Sequence, residues 1–261
     1  MAAYERVLVE IEDGIGTLTL NRPEKLNAFD REMLRELGDI VRGVADSAKC
    51  RVVVITGEGK GFCAGADLAA AKASDSLTNY MGEMVKSFHY VLNTMAQSPA
   101  IIVTLVNGPA AGGGFSLALL GDIRWAMPEA KFRAGYGRVG LTVDGGLSWR
   151  LPRIVGMAQA QRIIFEDPDI DADEAHALGL VHQVIPASDL VKAFETLVEK
   201  SKLQSRSTFV KNRQLLLESG ARTLQATFEA EAMSMKIAAG TPDGREGIEA
   251  FIAKRPPKFT S

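Results

Sequence analysis

Cysteine, histidine and long apolar runs are all scarce in this chain of 261 residues. Cys50 and Cys63 are the only cysteines, too few for a disulfide scaffold and without a Cys-x-x-Cys pair, so both are expected as reduced thiols. The three histidines, His89, His176 and His182, do not compose a metal set, and the last two flank the turn-like Leu178-Gly179-Leu180; no metal is expected. A formal charge of -2, with both signs interspersed, gives no basic footprint for nucleic acid. No apolar run approaches the roughly 20 residues that span a bilayer. The opening Met1-Ala2-Ala3-Tyr4-Glu5-Arg6 lacks a basic segment followed by an apolar one, so no membrane partner and a cytoplasmic location are expected. Two nucleotide signatures are also missing. Thr56-Gly57-Glu58-Gly59-Lys60-Gly61 has Gly61 where a phosphate loop needs Ser or Thr, and no Gly-x-Gly-x-x-Gly stands between a strand and a helix.

What is present is a chain with 46% hydrophobic residues, enough for one large core or a core with a smaller helical appendage. Apolar runs predict strands at 7–12, 16–20, 51–56, 101–106 and 123–126, with a shorter one near 181–185. Asp30 is placed to cap a helix whose buried stripe is Met33, Leu34, Leu37, Ile40, Val41 and Val44, and a second helix is predicted over about 77–95. Strand and helix alternation predicts parallel pairing with right-handed crossovers and helices covering the sheet. After about Pro186 the pattern turns wholly helical, with Leu190, Phe194 and Leu197 on one face. Gly240-Thr241-Pro242-Asp243-Gly244 reads as a break before a last helix over 246–253.

Four segments carry candidate chemistry. Ala110-Ala111-Gly112-Gly113-Gly114-Phe115-Ser116 follows an apolar strand and opens an apolar helix, so its bare N–H groups suit an oxygen that becomes negative during reaction. The alternative is a tight strand-to-helix turn. Gly61-Phe62-Cys63-Ala64-Gly65-Ala66-Asp67-Leu68 also follows a strand and offers a place for a second backbone donor. Gly114-Phe115-Ser116-Leu117-Ala118 is one glycine short of a hydrolase elbow; Asp144 or Asp167, followed by His176 or His182, would keep the Ser, Asp, His order. Asp144, ahead of Gly145-Gly146 and an apolar helix, reads either as a helix cap or as an acid. His89 reads either as a packed histidine beside Met81, Met84, Val85, Phe88 and Leu92 or as a catalytic group.

Together, Asn21-Arg22-Pro23-Glu24-Lys25-Leu26-Asn27-Ala28-Phe29, the segment 61–68, Val106-Asn107-Gly108-Pro109-Ala110-Ala111-Gly112-Gly113-Gly114 and Gly179-Leu180-Val181 closely resemble the crotonase superfamily, the enoyl-CoA hydratase/isomerase fold. The resemblance runs nearly end to end. It implies an α/β fold, a spiral core of repeated ββα units over 1–185, with a helical trimerisation region over 186–261. It implies an acyl-CoA substrate, with coenzyme A as part of that substrate and no separate cofactor, in a homotrimer or dimer of trimers. Carried over residue by residue, it puts the N–H groups of Ala66 and Gly113 on the thioester oxygen as an enolate forms. It puts CoA or substrate against Lys25, Leu26, Ala28, Ala64, Asp67, Leu68, Gly112 and Tyr136, with Phe251 and Lys254 reaching a neighbouring subunit's ligand.

The two glutamates with which hydratases of the superfamily activate water are missing: Ser116 and Tyr136 stand at their positions. Asp144 is similar instead to the aspartate that moves a proton in the ring-1,2-epoxyphenylacetyl-CoA isomerases and related enoyl-CoA isomerases, which 245–255 also resembles. Desolvation among Phe62, Met84, Phe88 and Tyr136 is expected to raise its pKa. A second resemblance is to 4-chlorobenzoyl-CoA dehalogenases, whose nucleophilic aspartate and water-activating histidine fall at Asp144 and His89. A third expectation is an acyl-CoA-binding paralogue without chemistry. Double-bond isomerisation with Asp144 as acid and base is the leading expectation.

Overall fold

The computed structural model describes residues 4–45 and 50–260; the opening stretch read above begins outside them, at residues 1–3. Strand β1 (Val7–Glu12) turns through Asp13 and Gly14, both at positive φ, into β2 (Ile15–Leu20), an antiparallel hairpin. Helix α1 (Arg31–Ala45) follows. Its first turn is capped by Asp30, which accepts from the Met33 N–H at 2.8 Å, and all six expected stripe residues are buried.

Next come β3 (Val52–Gly57), α2 (Leu68–Lys72), α3 (Leu77–Ala96), β4 (Ile101–Val106), β5 (Pro109–Ala111), α4 (Gly113–Ala118), β6 (Ile123–Ala126) and β7 (Lys131–Arg133). The chain continues through α5 (Leu147–Phe165), β8 (Ile170–Asp171), α6 (Ala172–Ala177) and β9 (Gln183–Val184). Helices α7 (Leu190–Lys202), α8 (Arg206–Glu218), α9 (Leu224–Ala239) and α10 (Pro242–Ile252) end it. The larger sheet runs β1-β2-β3-β4-β6-β9, parallel throughout except at the first pair.

Strand β3 is apolar without alternation because both faces of the sheet are covered. Val53 and Ile55 face the large core with α1 and α3, while Val52 and Val54 join Val103, Leu105 and Trp125 under α7. There Phe194 packs on Trp125 with ring centroids 5.0 Å apart, and Leu190 and Leu197 flank it, the face read from the sequence.

Three differences from the sequence reading have local causes. The smaller sheet, β5-β7-β8, was not foreseen, because strands of two or three residues show no periodicity. The expected strand near 181–185 pairs over only Gln183 and Val184. The last helix starts at Pro242 rather than 246: proline suits a first helical position, and Thr241 Oγ1 accepts from the Gly244 N–H at 3.0 Å, so the break shrinks to Gly240-Thr241. Among the described residues, no helix is long and apolar enough to cross a membrane.

Candidate active site

The loop from Gly61 to Asp67 is fastened on both sides by backbone. The Phe62 N–H donates to the Pro109 carbonyl at 3.0 Å and the Ala111 N–H to Cys63 at 2.9 Å, while the Ala64 N–H donates to Leu26 at 2.9 Å. The Phe29 N–H reaches Gly65 at 2.6 Å and the Asp67 N–H reaches Phe29 at 2.8 Å. Two asparagines lace the preceding turn. Asn27 Nδ2 donates to the carbonyls of Glu58 and Gly61, and Asn107 Nδ2 to that of Gly57. Their place in the 21–29 and 106–114 segments was visible in the sequence; their work as loop staples was not.

This fastening brings the start of α4 against the loop. A Cβ at Gly114 would lie 1.9 Å from the Cys63 carbonyl oxygen, and one at Gly65 would lie 2.9 Å from the Gly113 nitrogen, so only bare backbone allows the approach. Once these bonds are made, the N–H groups of Ala66 and Gly113 have no acceptor among the described residues. Both residues line a cavity of about 590 Å³. The glycine segment is thus a close-approach turn and a bare amide pair at once.

Asp144 lines the same cavity from the segment before α5. It is not the helix cap; Gly146 holds that position, and the Asp144 carboxylate instead accepts from Tyr136 Oη at 2.6 Å. Burial raises its pKa above the usual carboxylate range, against the opposing effects of the Tyr136 hydrogen bond and His89. Burial and the neighbouring Asp144 carboxylate push the Tyr136 phenol far up, so it stays protonated.

Of the groups expected to desolvate Asp144, Tyr136 touches it, and Phe88 packs under Gly145. Phe62, Met84 and Phe88 do not line the cavity. Phe62 is a fully buried loop residue, and for Met84 and Phe88 the reason is the helical period. On α3, Met81, Val85 and His89 share the cavity face, whereas Tyr80, Met84, Phe88 and Val91 turn to the core. His89 is exposed on that wall, one turn beyond Lys86, which sequence reading did not single out.

Ala64, Leu68, Gly112 and Tyr136 also line the cavity. Asp67 does not: it is 5% exposed, caps α2 through the Ala70 N–H, and binds Arg22 and Lys25, each at 2.8 Å. Burial opposes its ionisation, but the hydrogen bonds from Lys25 and Arg22 outweigh that and hold its carboxyl well below the usual range. Lys25 is therefore tethered beside the site, with Leu26 exposed and Ala28 buried next to it, and none of the three is in the cavity wall. Phe251, on α10, and Lys254, just after it, are not in the wall of this chain's cavity either.

The hydrolase ordering does not assemble. Ser116 is buried against Tyr136 and the Asp144 carbonyl, while His182 Nδ1 accepts from the Arg124 N–H at 2.9 Å and His176 Nδ1 lies 3.4 Å from the Val181 carbonyl, neither lining the cavity. Cys63, close by, is no nucleophile, since burial pushes its thiol up to about 12.

Residues 10–261 match the enoyl-CoA hydratase/isomerase family. The chain is 35% identical over 258 residues to the 1,2-epoxyphenylacetyl-CoA isomerase of Escherichia coli, covering 98% of each, and 31% identical over 262 residues to a crotonyl-CoA hydratase of Syntrophomonas wolfei, covering 99% of each. Its structure superposes on that of an enoyl-CoA hydratase from Polaromonas with a TM-score of 0.90 at 30% identity, over 97% of this chain and 99% of the other.

Proposed function

This chain belongs to the enoyl-CoA hydratase/isomerase family and has its crotonase fold, and from the site we propose that it shifts a double bond in an enoyl-CoA thioester. One observation carries the reading: a carboxyl with a raised pKa and two acceptor-free backbone amides line one cavity, in a site without a glutamate. Asp144 takes a proton from one carbon of the acyl chain as the electron pair moves towards the thioester oxygen. The Ala66 and Gly113 N–H groups hold that oxygen as it becomes an enolate, which is where fixed donors lower a barrier most. Asp144 then returns the proton to a second carbon, and the double bond has moved.

Hydration would require two acids to hold and activate water. Ser116 and Tyr136 occupy those positions and bond each other and Asp144 instead. The relative named as an isomerase supports the same reading. Incubating a 3-enoyl-CoA in heavy water with the wild type and with Asp144→Asn, followed by mass spectrometry, tests it. The 2-enoyl product from the wild type alone is expected; equal conversion by both would remove Asp144 from the mechanism.

The placement of His89 on the same wall favours one second reading, in which Asp144 attacks a halogenated aryl-CoA and His89 activates water against the resulting ester. Halide release from such a thioester, lost in His89→Ala, distinguishes it.

We also propose a homotrimer or dimer of trimers built through the C-terminal helices. Leu224, Phe228, Met233, Met235 and Ile237 of α9 are exposed, as is Phe251 at 85%. Apolar surface on this scale marks an association face. In the assembly Phe251 and Lys254 would approach a neighbour's substrate.

A further inference from the structure

Asp144 is gripped at two points. Tyr136 Oη donates to the carboxylate Oδ1 at 2.6 Å, and Ser116 Oγ donates to the Asp144 backbone carbonyl at 3.0 Å. The two hydroxyl oxygens are themselves 3.0 Å apart, so the Ser116 proton lies between two acceptors, the Asp144 carbonyl and the Tyr136 oxygen. Donation towards Tyr136 polarises the phenol and strengthens its bond to Asp144. Both side chains are almost fully enclosed, at 8% exposure for Tyr136 and 1% for Ser116, so water does not compete for these bonds.

The backbone after Asp144 is pinned as well. Gly145 is at φ +59°, and a Cβ there would lie 2.6 Å from Phe88 and 2.7 Å from the Ser116 Cβ. Ser116 sits on α4, the helix that opens with the Gly113 amide, so one short element places an oxygen-binding donor and braces the base. The second carboxylate oxygen, Oδ2, has no hydrogen-bond partner among the described residues, and Asp144 lines the cavity.

We infer that Tyr136 and Ser116 are positioning residues: Tyr136 occupies Oδ1, Ser116 holds the Asp144 backbone carbonyl and the Tyr136 hydroxyl, and Oδ2 is left as the single oxygen offered to the acyl chain. The inference rests on the isomerase reading of this site and adds how one carboxyl serves both half-reactions. The C–H bond breaks, its electron pair moves into the enolate, and an O–H bond forms at Oδ2. At the second carbon the O–H bond breaks, a C–H bond forms and the carboxylate is restored. Neither hydroxyl changes its protonation. Held in one rotamer, Asp144 returns the proton it took before that proton exchanges with water.

Lys86 and His89 face the same cavity from α3, so the test must read Asp144 itself rather than a pH profile alone. The carboxyl signal of aspartate labelled with carbon-13 is titrated in the wild type, in Tyr136→Phe and in Ser116→Ala, with Asp144→Asn assigning the signal. Loss of a hydrogen bond to the ionised form is expected to raise the Asp144 midpoint by about one pH unit in Tyr136→Phe, and by less in Ser116→Ala. In turnover in heavy water, Tyr136→Phe should also give product with a smaller share of the substrate's own proton. An unchanged midpoint in both variants overturns the inference. A midpoint shifted in the variants, together with a wild type that isomerises no enoyl-CoA, supports the bracing of Asp144 and removes the isomerase reading instead.

Discussion

The amide half of the cavity is held by backbone packed on backbone, the Cys63 to Ala66 loop against the start of α4, whereas the carboxyl half is held by side-chain hydrogen bonds among Asp144, Tyr136 and Ser116. The first is rigid because a single methyl would collide, and its two amide donors do not titrate. The second is adjustable because burial, the Tyr136 hydroxyl and His89 set the charge of one carboxyl. A family that keeps the amide half and varies the side-chain half can keep an enolate intermediate while changing where protons or water go.

Substitutions break the two halves differently. Asp144→Asn removes the proposed base and should lower turnover by about 10²- to 10⁴-fold with little change in the dissociation constant for the CoA ester, read by steady-state kinetics and calorimetry. Gly113→Pro deletes one of the two proposed oxyanion donors and adds a ring whose Cβ comes within 3.3 Å of Phe29, and should cost at least about 10²- to 10³-fold in kcat. A kcat within twofold of the wild type would remove Gly113 from the mechanism.

The ion-pair cluster beside the cavity is tested by Asp67→Asn, which leaves Arg22 without one counter-ion. Because Asp30 and the Ala28 carbonyl still hold Arg22, the expected loss is about 2 to 3 kcal/mol in denaturant unfolding, below that of a fully broken buried pair. The sign with pH follows. The folded pKa of Asp67 is depressed, so its contribution is present at neutral pH and is lost as pH falls through that depressed value.

Asp144 has the opposite sign. Its folded pKa is raised, so any stability from its protonated form is present below the unfolded pKa and is lost as pH rises through the folded value. At neutral pH, Asp144→Asn should therefore raise Tm slightly, by about 2 °C, while abolishing turnover. The wild-type activity should fall as pH drops through a midpoint above the ordinary carboxylate range.

Much of this was legible in the chain. The α1 stripe reads directly because a helix packed on one side of a sheet repeats its apolar residues at three and four. The glycines and Asp144 were legible because their spacing matches a fold in which those positions meet. The cavity face of α3 was not, since Met81, Met84, Val85 and Phe88 all look alike in a one-dimensional apolar pattern, and only packing decides which side turns to the core. Asp67 was hidden for a related reason: a carboxylate in a segment that resembles the family's CoA-binding loop gives no sign that Arg22 and Lys25 have claimed it.

The sequence by itself determined the order of the main strands and helices, the family and the small residues that let two backbones meet, because these depend on local period and on the absence of a Cβ. Tertiary structure alone decided that the Ala66 and Gly113 amides lack acceptors, that Tyr136 and Ser116 hold Asp144, and that His89 and Lys86 share its cavity. Those facts depend on distances between residues eight to several tens of positions apart in the chain, and such distances exist only once the sheet and its covering helices have packed.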